Sequence, residues 1–446
     1  MNEEKKLTFF ETLTMATGFT IGSGIITQTG IGISMTGRSV CLAFLASAAL
    51  FLLAFRPLFL MGIVLPKISA SYAYARELLS EKMGGCFIYI YFLGRITIAI
   101  LCISFAQYMA QVFPVFAGEQ TRKLWAVAVA TIFYMVNLRG IKTAAQVQNL
   151  MFFILLAGML VYVCVGLPQL LPGFTNRQTF FTGGGSGFYA ATSLFFFAVS
   201  GSYILVDFAP KIKDCKKVMP KVIGIVTVSV SVLYGLLGVV ASGTVELEKA
   251  ANAPLTVSAK AVFAECPLMF YFFLFGVCLG ALITTLNSSF VWYSSSLLQG
   301  CRDGWLPVWL AKENRFGVPW PLMTLFYLFA VVPIMLGVDL TELSRMAISL
   351  TILSASIPMA GVVYLPEKYP ELWENSGLAN RYPKWRLLGM TLITYGILLT
   401  QIYSLLSQNS RKANGMLLLY CLIVGLRLLA GPLPKQLQKC KKSQLR

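Results

Sequence analysis

The sequence predicts an all-α integral membrane protein of about 12 transmembrane helices, with two five-span groups of opposite orientation followed by two further spans. Three observations predict it. The chain is 57% hydrophobic and only 12% charged over 446 residues, with a mean hydropathy of +0.73; that is the composition of a chain in lipid, not of a soluble core. Apolar runs of about 20 residues, each long enough to cross a bilayer, recur from end to end. The first and sixth runs are interrupted near their middles by small residues, at Gly18-Phe19-Thr20-Ile21-Gly22-Ser23-Gly24-Ile25 and at Ala198-Val199-Ser200-Gly201-Ser202.

Taken in order, residues 1–10 form a short polar lead, expected in the cytoplasm. Lys5 and Lys6 precede an apolar run, but no small-residue cleavage site follows, so the run reads as span 1 (11–34) and not as a cleaved signal. Span 2 (40–65) ends at Pro66-Lys67, and the mixed polar and aromatic stretch 69–82 reads as a short inner-surface helix. Spans 3, 4 and 5 cover 86–113, 124–138 and 147–168. An external loop, 172–187, carries Gly183-Gly184-Gly185; without a strand or a Lys-Ser/Thr context these glycines are weak as a phosphate cradle. Span 6 (188–208) leads into the basic loop Lys211–Lys221. Spans 7 to 10 cover 222–243, 267–298, 320–337 and 343–365. A charged loop, 366–385, precedes spans 11 and 12 at 386–406 and 414–431, and 432–446 is a basic tail. The two five-span groups are then 11–170 and 188–365.

The net charge of +18 does not indicate nucleic acid. With the N-terminus inside and an even number of spans, roughly 24 of the 36 Lys and Arg fall in cytoplasmic segments, about 9 outside and about 3 within spans. This is the positive-inside bias, and it predicts a multi-pass cell-membrane protein with both termini cytoplasmic. The ten cysteines are scattered, there is no C-x-x-C and no histidine. A metal site, a cofactor and histidine-based catalysis are therefore not expected.

The interruptions carry the functional reading. A glycine inside a helix costs roughly 1 kcal/mol against alanine, and three stand within Gly18–Gly24. They admit two explanations. Glycine permits unusual dihedrals, so the helix breaks and frees backbone groups that line a cavity; or small residues let helices approach closely. A matched interruption five spans later favours the first. Five is odd, so the second group starts on the opposite side of the membrane, which is the sign of an inverted repeat with a binding site between its two breaks.

Several stretches resemble the amino acid–polyamine–organocation transporters, of the amino acid permease type. They are Ile21-Gly22-Ser23-Gly24-Ile25; Leu65-Pro66-Lys67 through Tyr72-Ala73-Tyr74-Ala75-Arg76; Asn137-Leu138-Arg139-Gly140-Ile141-Lys142 with Gln146-Val147-Gln148-Asn149; Lys213–Pro220; and Arg302-Asp303-Gly304-Trp305-Leu306-Pro307 followed by Asn314–Pro321. The resemblance covers residues 10 to about 340 well and the last two spans poorly. It implies a leucine-transporter-type 5+5 inverted repeat with helices 1 and 6 broken, and alternating access for a small amine-bearing solute. It places a substrate carboxylate at the Ser23 and Gly24 N–H groups and an ammonium at carbonyls near Ile21 and from Ala198 through Ser200 to Gly201, with Gly22 and Ile25 in the same motif; physically, half-helix N-termini suit an anion. Phe197 sits where a gating aromatic is expected. The departures are Tyr203 for a common glutamate, Pro210-Lys211 for an acidic pair, Leu155 for the lysine of some proton-coupled members, and Ser289 for a pocket aromatic.

Arg56 and Arg95 stand near the middles of spans 2 and 3, roughly 15 Å from their inner ends. A central arginine costs at least about 2.5 kcal/mol on insertion and is a functional candidate by default. Arg95 aligns with a substrate-lining position of some relatives; the plainer role is an ion pair, with Asp207 as an available partner. Thr284 and Thr285 match the position where sodium-coupled members supply hydroxyls, and so form a candidate ion site; the plainer role is back-bonding to their own helix. The expectation is a secondary active transporter of an amino acid or related small amine, symporter or exchanger, whose partners are the lipid bilayer, the substrate and either Na+ or a counter-substrate. The rivals are a polyamine or organocation carrier and a non-transporting scaffold or sensor of the same fold. An enzyme is not expected, since convergent acid and base groups are lacking.

Overall fold

The computed structural model describes residues 6–113, 118–139, 144–292 and 294–432. Among these residues the chain is helical throughout, with two isolated bridges, Leu7 with Ile212 and Glu313 with Pro319, in place of any sheet. Eight helical stretches among the described residues are long and apolar enough to cross a membrane, and Phe153–Gln169 and Trp320–Leu336 are shorter apolar helices.

The first interrupted helix is α1 (Phe9–Thr20) with α2 (Ser23–Thr36). α1 opens on a capping box: the Thr8 hydroxyl accepts the Glu11 N–H while the Glu11 carboxylate accepts the Thr8 N–H. α2 stops at Gly37, whose φ of 73° favours glycine. α3 (Val40–Ala54) and α4 (Arg56–Val64) meet at Phe55, with Pro57 in the first turn of α4. A short connector follows, α5 (Ala70–Tyr74) with a wider turn over Ala75–Leu79. α6 (Glu81–Leu93), capped by Ser80, and α7 (Thr97–Val112) are separated by a tight 3₁₀ turn, Gly94–Ile96. The sequence predicts one uninterrupted span over 86–113; Gly94, which costs a helix, falls where the turn tightens.

α8 (Glu119–Leu138), α9 (Ala144–Gly166) and the single turn α10 (Arg177–Phe180) lead to α11 (Gly184–Val199). The Gly183–Gly185 run is thus the start of a helix and not loop. α11 continues as a 3₁₀ segment, Ser200–Val206. α12 (Cys215–Gly243) begins inside the basic stretch expected to be loop, and contains Pro220 within its first turns. After the short α13 (Leu247–Ala250) and α14 (Thr256–Val262) come α15 (Pro267–Phe272), α16 (Gly280–Trp292) and α17 (Ser294–Arg302). α18 (Trp320–Leu336) ends on Gly337 in the left-handed region, and α19 (Leu340–Met359) starts on Asp339, which accepts the Thr341 and Glu342 N–H groups. The short α20 (Leu365–Lys368) and α21 (Pro370–Glu374) precede α22 (Lys384–Leu406) and α23 (Arg411–Leu429).

The core forms where α2, α3, α11 and α12 pack on one another. Phe44 and Phe195 stack there with ring centroids 3.7 Å apart, and the Phe195 ring fills the space a side chain at Gly32 would need. α22 and α23 are peripheral; their outward leucines, such as Leu392 at 73% exposure, suit a lipid-facing surface.

Candidate functional site

The interruption between α1 and α2 is two residues long. Ile21 (φ −79°, ψ 98°) and Gly22 (φ −148°, ψ −154°) are extended, and the helix restarts at Ser23. Two distant hydroxyls take up the backbone groups this releases. Tyr234 of α12 donates to the Thr20 carbonyl at 3.0 Å, and the Ser23 N–H donates to Thr285 Oγ1 of α16 at 3.1 Å. Gly22 and Gly24 do not take up left-handed dihedrals. The two explanations of the glycines therefore divide: the helix is broken, but these glycines are required by close approach. A Cβ on Gly22 would lie 2.8 Å from Thr285 Oγ1, and one on Gly24 would lie 2.7 Å from the Ala198 Cα.

The second interruption has another form. α11 passes into the 3₁₀ segment at Ser200 with helical dihedrals (φ −83°, ψ −5°), so the chain tightens instead of unwinding. This corrects the expectation of a matched break. Gly201 lies against the first break: a Cβ there would be 2.5 Å from the Phe19 carbonyl oxygen. Ser202 turns away and shares a hydrogen bond with Thr227 of α12 at 3.0 Å.

Between the two interruptions lies a cavity of about 120 Å³. Of the residues expected at the site, Gly22, Ser23, Gly24, Arg95, Ala198, Ser200, Gly201, Thr284 and Thr285 all line it. Ile21 and Ile25 do not; their side chains are packed in the core at 4% and 0% exposure. The Phe197 side chain lies outside the described residues. Tyr91, Thr97, Tyr203, Ser289, Thr351 and Ser354 complete much of the wall. Thr351 and Ser354 were missed, although hydroxyls three apart on one face of an apolar helix are a usable signal.

Among the described residues of this wall, Arg95 is the only cationic side chain and there is no carboxylate. It stands in the 3₁₀ turn between α6 and α7, its Nε donating to the Tyr91 carbonyl at 3.1 Å and its guanidinium 4.2 Å from the Tyr91 ring centre. Asp207 is not its partner here: that carboxylate accepts the Ser71 N–H of α5 at 3.2 Å. Arg56 is exposed at the first turn of α4 and lines no cavity near this site. Thr284 donates to its own helix at the Ala281 carbonyl, 3.1 Å away.

A second cavity, about 300 Å³, shares Tyr91, Tyr203, Ile204 and Ser354 with the first. It reaches the surface at Ile68, Lys211 and Ser295, all exposed. This is the end of the molecule where the Leu7 backbone pairs with Lys211 and Lys213. Toward the other end α2 is tied down: Tyr108 donates to the Ile26 carbonyl at 2.8 Å and accepts the Leu255 N–H, and Gly30 lies against the Ala253 backbone. A further cavity of about 400 Å³ lies beside Ile26, Tyr108 and Ala253, but it shares none of the central cavity's walls, whereas the vestibule at Ile68 and Lys211 shares four.

Three of the stretches that carried the resemblance meet one another. Tyr72 and Arg76 both donate to Asp303 Oδ2 at 2.7 Å. Burial, reinforced by that carboxylate, pushes the Tyr72 phenol well above its ordinary pKa, so it remains a neutral donor. Trp305 packs on Gly85, and Asn314 donates to the Leu138 carbonyl at 2.7 Å. A sequence profile described as amino acid permease matches residues 7–426. The chain belongs to the amino acid permease family. Membrane location and amino acid transport follow from that membership together with the apolar helices. Among its relatives, the branched-chain amino acid permease of Bacillus subtilis is 25% identical over 83% of this chain and 82% of its own length. The human cystine/glutamate transporter is 22% identical over 83% and 75%, and an uncharacterised protein of Methanocaldococcus jannaschii is 24% identical over 70% and 72%.

Proposed function

We propose that this permease is a secondary active transporter that carries a free amino acid by alternating access, with the central cavity as its substrate site. The observation that carries this is a small cavity between two helix interruptions, with hydroxyls of Ser23, Thr284 and Thr285 on its wall, that shares walls with a vestibule reaching one face and none with the cavity beside Ile26 and Tyr108 toward the other end. A carrier needs such a site, exposed to one side at a time. In this reading the start of α2 at Ser23 and Gly24 receives the carboxylate, and carbonyls beside Ile21 and in Ala198–Gly201 receive the ammonium. Residues 11–170 and 188–365 act as inverted repeats within a 12-span, leucine-transporter-type fold in the cell membrane, with both termini cytoplasmic.

The absence of a carboxylate from the described cavity wall, together with Arg95 on it, favours neutral or acidic amino acids over arginine, polyamines or other organocations. Proton symport has little support, since Leu155 is an apolar residue buried in the core where some relatives carry a lysine. Sodium coupling or exchange is the proposed mode. The test is uptake of a labelled amino-acid panel into proteoliposomes containing only this protein, under a sodium gradient, a proton gradient or preloaded amino acid. Uptake of a neutral or acidic amino acid is expected. No uptake under any condition would favour a scaffold, and accumulation driven by a proton gradient alone would overturn the coupling proposal.

A further inference from the structure

We propose that the 300 Å³ cavity is a second binding station, where Asp207 takes the ammonium group of an amino acid passing between the central cavity and the surface. The proposal rests on the transport reading above. Among the described residues lining either cavity, Asp207 is the only carboxylate. It lies beyond the 3₁₀ segment that follows α11, and the Ser71 N–H holds its Oδ1 at 3.2 Å. That bond fixes the carboxylate at the junction of α5 and the end of the 3₁₀ segment, on the vestibule wall. The two cavities are of opposite character. The central one is cationic through Arg95, and the outer one is anionic at Asp207 until its rim, where Lys211 is exposed. Tyr91, Tyr203, Ile204 and Ser354 are walls of both.

A zwitterion leaving the central cavity therefore meets its first opposite charge for the ammonium at Asp207. A carboxylate at the wall of a protein-lined cleft acts more strongly than one in open water, because the low-dielectric walls focus its field and raise the local concentration of cations. The ligand class is a primary ammonium attached to a small solute. Ser69, Ser71, Ser295, Ser296 and Ser354 line the same space and supply hydroxyls for the rest of such a molecule.

The full-length protein carrying Ser295→Cys, with Ile68→Cys as an independent reporter, tests this in proteoliposomes. Both positions are exposed on the vestibule wall. The rate of modification at the new thiol, read by mass spectrometry of that peptide, is compared for a trimethylammonium and a sulfonate methanethiosulfonate reagent. A preference for the cation of about 10-fold is expected, the lower end of what focused fields give. Asp207→Asn should bring the two rates to within about 2-fold, and Asp207→Glu should restore the preference. An equimolar mixture of the L-amino acids should slow modification while their N-acetylated forms do not, and this protection should vanish in Asp207→Asn. A cation preference unchanged in Asp207→Asn, or equal protection by N-acetylated amino acids, overturns the station. Failure of the transport reading shows separately, as no uptake of any labelled amino acid by the unsubstituted protein.

Discussion

The two helix interruptions face each other and differ in kind. The first, at Ile21-Gly22, is a true break: two extended residues separate two helices, and hydroxyls from α12 and α16 take up the exposed backbone. The second, from Ser200, remains helical and only tightens to 3₁₀. A 3₁₀ segment keeps its hydrogen bonds one residue closer along the chain, so it frees fewer groups than an extended pair. The first interruption therefore supplies more of the directed N–H and C=O groups, and the second adds a closely fitting wall to the few carbonyls it leaves. Small residues serve both, but for different reasons. At Gly24 and Gly201 they let the two interruptions touch.

The largest expected effect breaks that contact. In Gly201→Leu the first side-chain atom would overlap the Phe19 carbonyl and the Thr20 Cα, and in Gly24→Leu it would overlap the Ala198 Cα. Neither neighbour is the tip of a side chain that can swing aside. Overpacking costs about 1–3 kcal/mol even where some relief is available. Both variants should still insert, since their apolar character is unchanged, but substrate binding and uptake should fall to background, at least about 100-fold. Binding to detergent-purified protein with unchanged size-exclusion behaviour checks this. Normal binding by either folded variant would show that the interruptions do not need to touch.

The places of the interruptions were legible in the sequence, because small residues stand out in apolar runs of span length. Their form was not. The partners that settle the first break, Tyr234 and Thr285, lie 214 and 262 residues away from the groups they meet. Local sequence carries no record of such pairs. Gly22 shows the same limit: a glycine adopting dihedrals open to any residue cannot be told by sequence from one that needs a positive φ, and here the reason is the Thr285 hydroxyl. On the wall, Thr351 and Ser354 donate to carbonyls of their own helix, like many other hydroxyls in the chain. Only their position against the cavity sets them apart. Helix boundaries shifted where glycine and lysine suggested loop, at Gly184 and at Cys215–Lys221, because helix propensity is a weak prior that packing overrides.

A smaller effect is expected at Arg95, whose 3₁₀ turn resembles the second interruption rather than the first. Arg95→Ala should leave the contact between the interruptions intact and change which side chains are accepted. Uptake of acidic amino acids should fall by about 10-fold relative to neutral ones, about 1.4 kcal/mol of discrimination, while cationic amino acids gain. Competition of a labelled neutral amino acid by glutamate and by lysine measures the shift. Strong uptake of arginine that is the same with and without Arg95 would remove its role in selectivity.

A still smaller effect separates the two uses of glycine. Gly22→Ala keeps permitted backbone angles and meets only the Thr285 hydroxyl, which can rotate. The expected cost is the Ser23–Thr285 hydrogen bond, about 1 kcal/mol, seen as a roughly 5-fold weaker affinity. Thr285→Ala removes the same bond and also makes room for the new methyl. The double variant should therefore be no worse than Gly22→Ala alone, a coupling that a double-mutant cycle on binding affinity reads directly. Additive losses would mean that Gly22 serves the backbone and not the contact.

The smallest effect is expected next door, at Thr284. The two threonines are adjacent in sequence and both line the cavity. Thr285 reaches across to the first break, whereas Thr284 donates to Ala281 one turn earlier on its own helix. A hydroxyl used in that way contributes little, and its removal leaves a helix carbonyl that already has its backbone partner. Thr284→Ala should change uptake by less than about 2-fold, within about 0.4 kcal/mol. Sodium dependence is the sharper reading. If both hydroxyls coordinate Na+, Thr284→Ala and Thr285→Ala should raise the sodium concentration needed for half-maximal uptake together, because a cation site is built from all its oxygens at once. If only Thr285 matters, through Ser23, its substitution should lower uptake at every sodium concentration and Thr284→Ala should do nothing. Sodium titrations of uptake for the two single variants decide between these. The hydrogen bond from the Ser23 N–H to Thr285 favours the second outcome for Thr285.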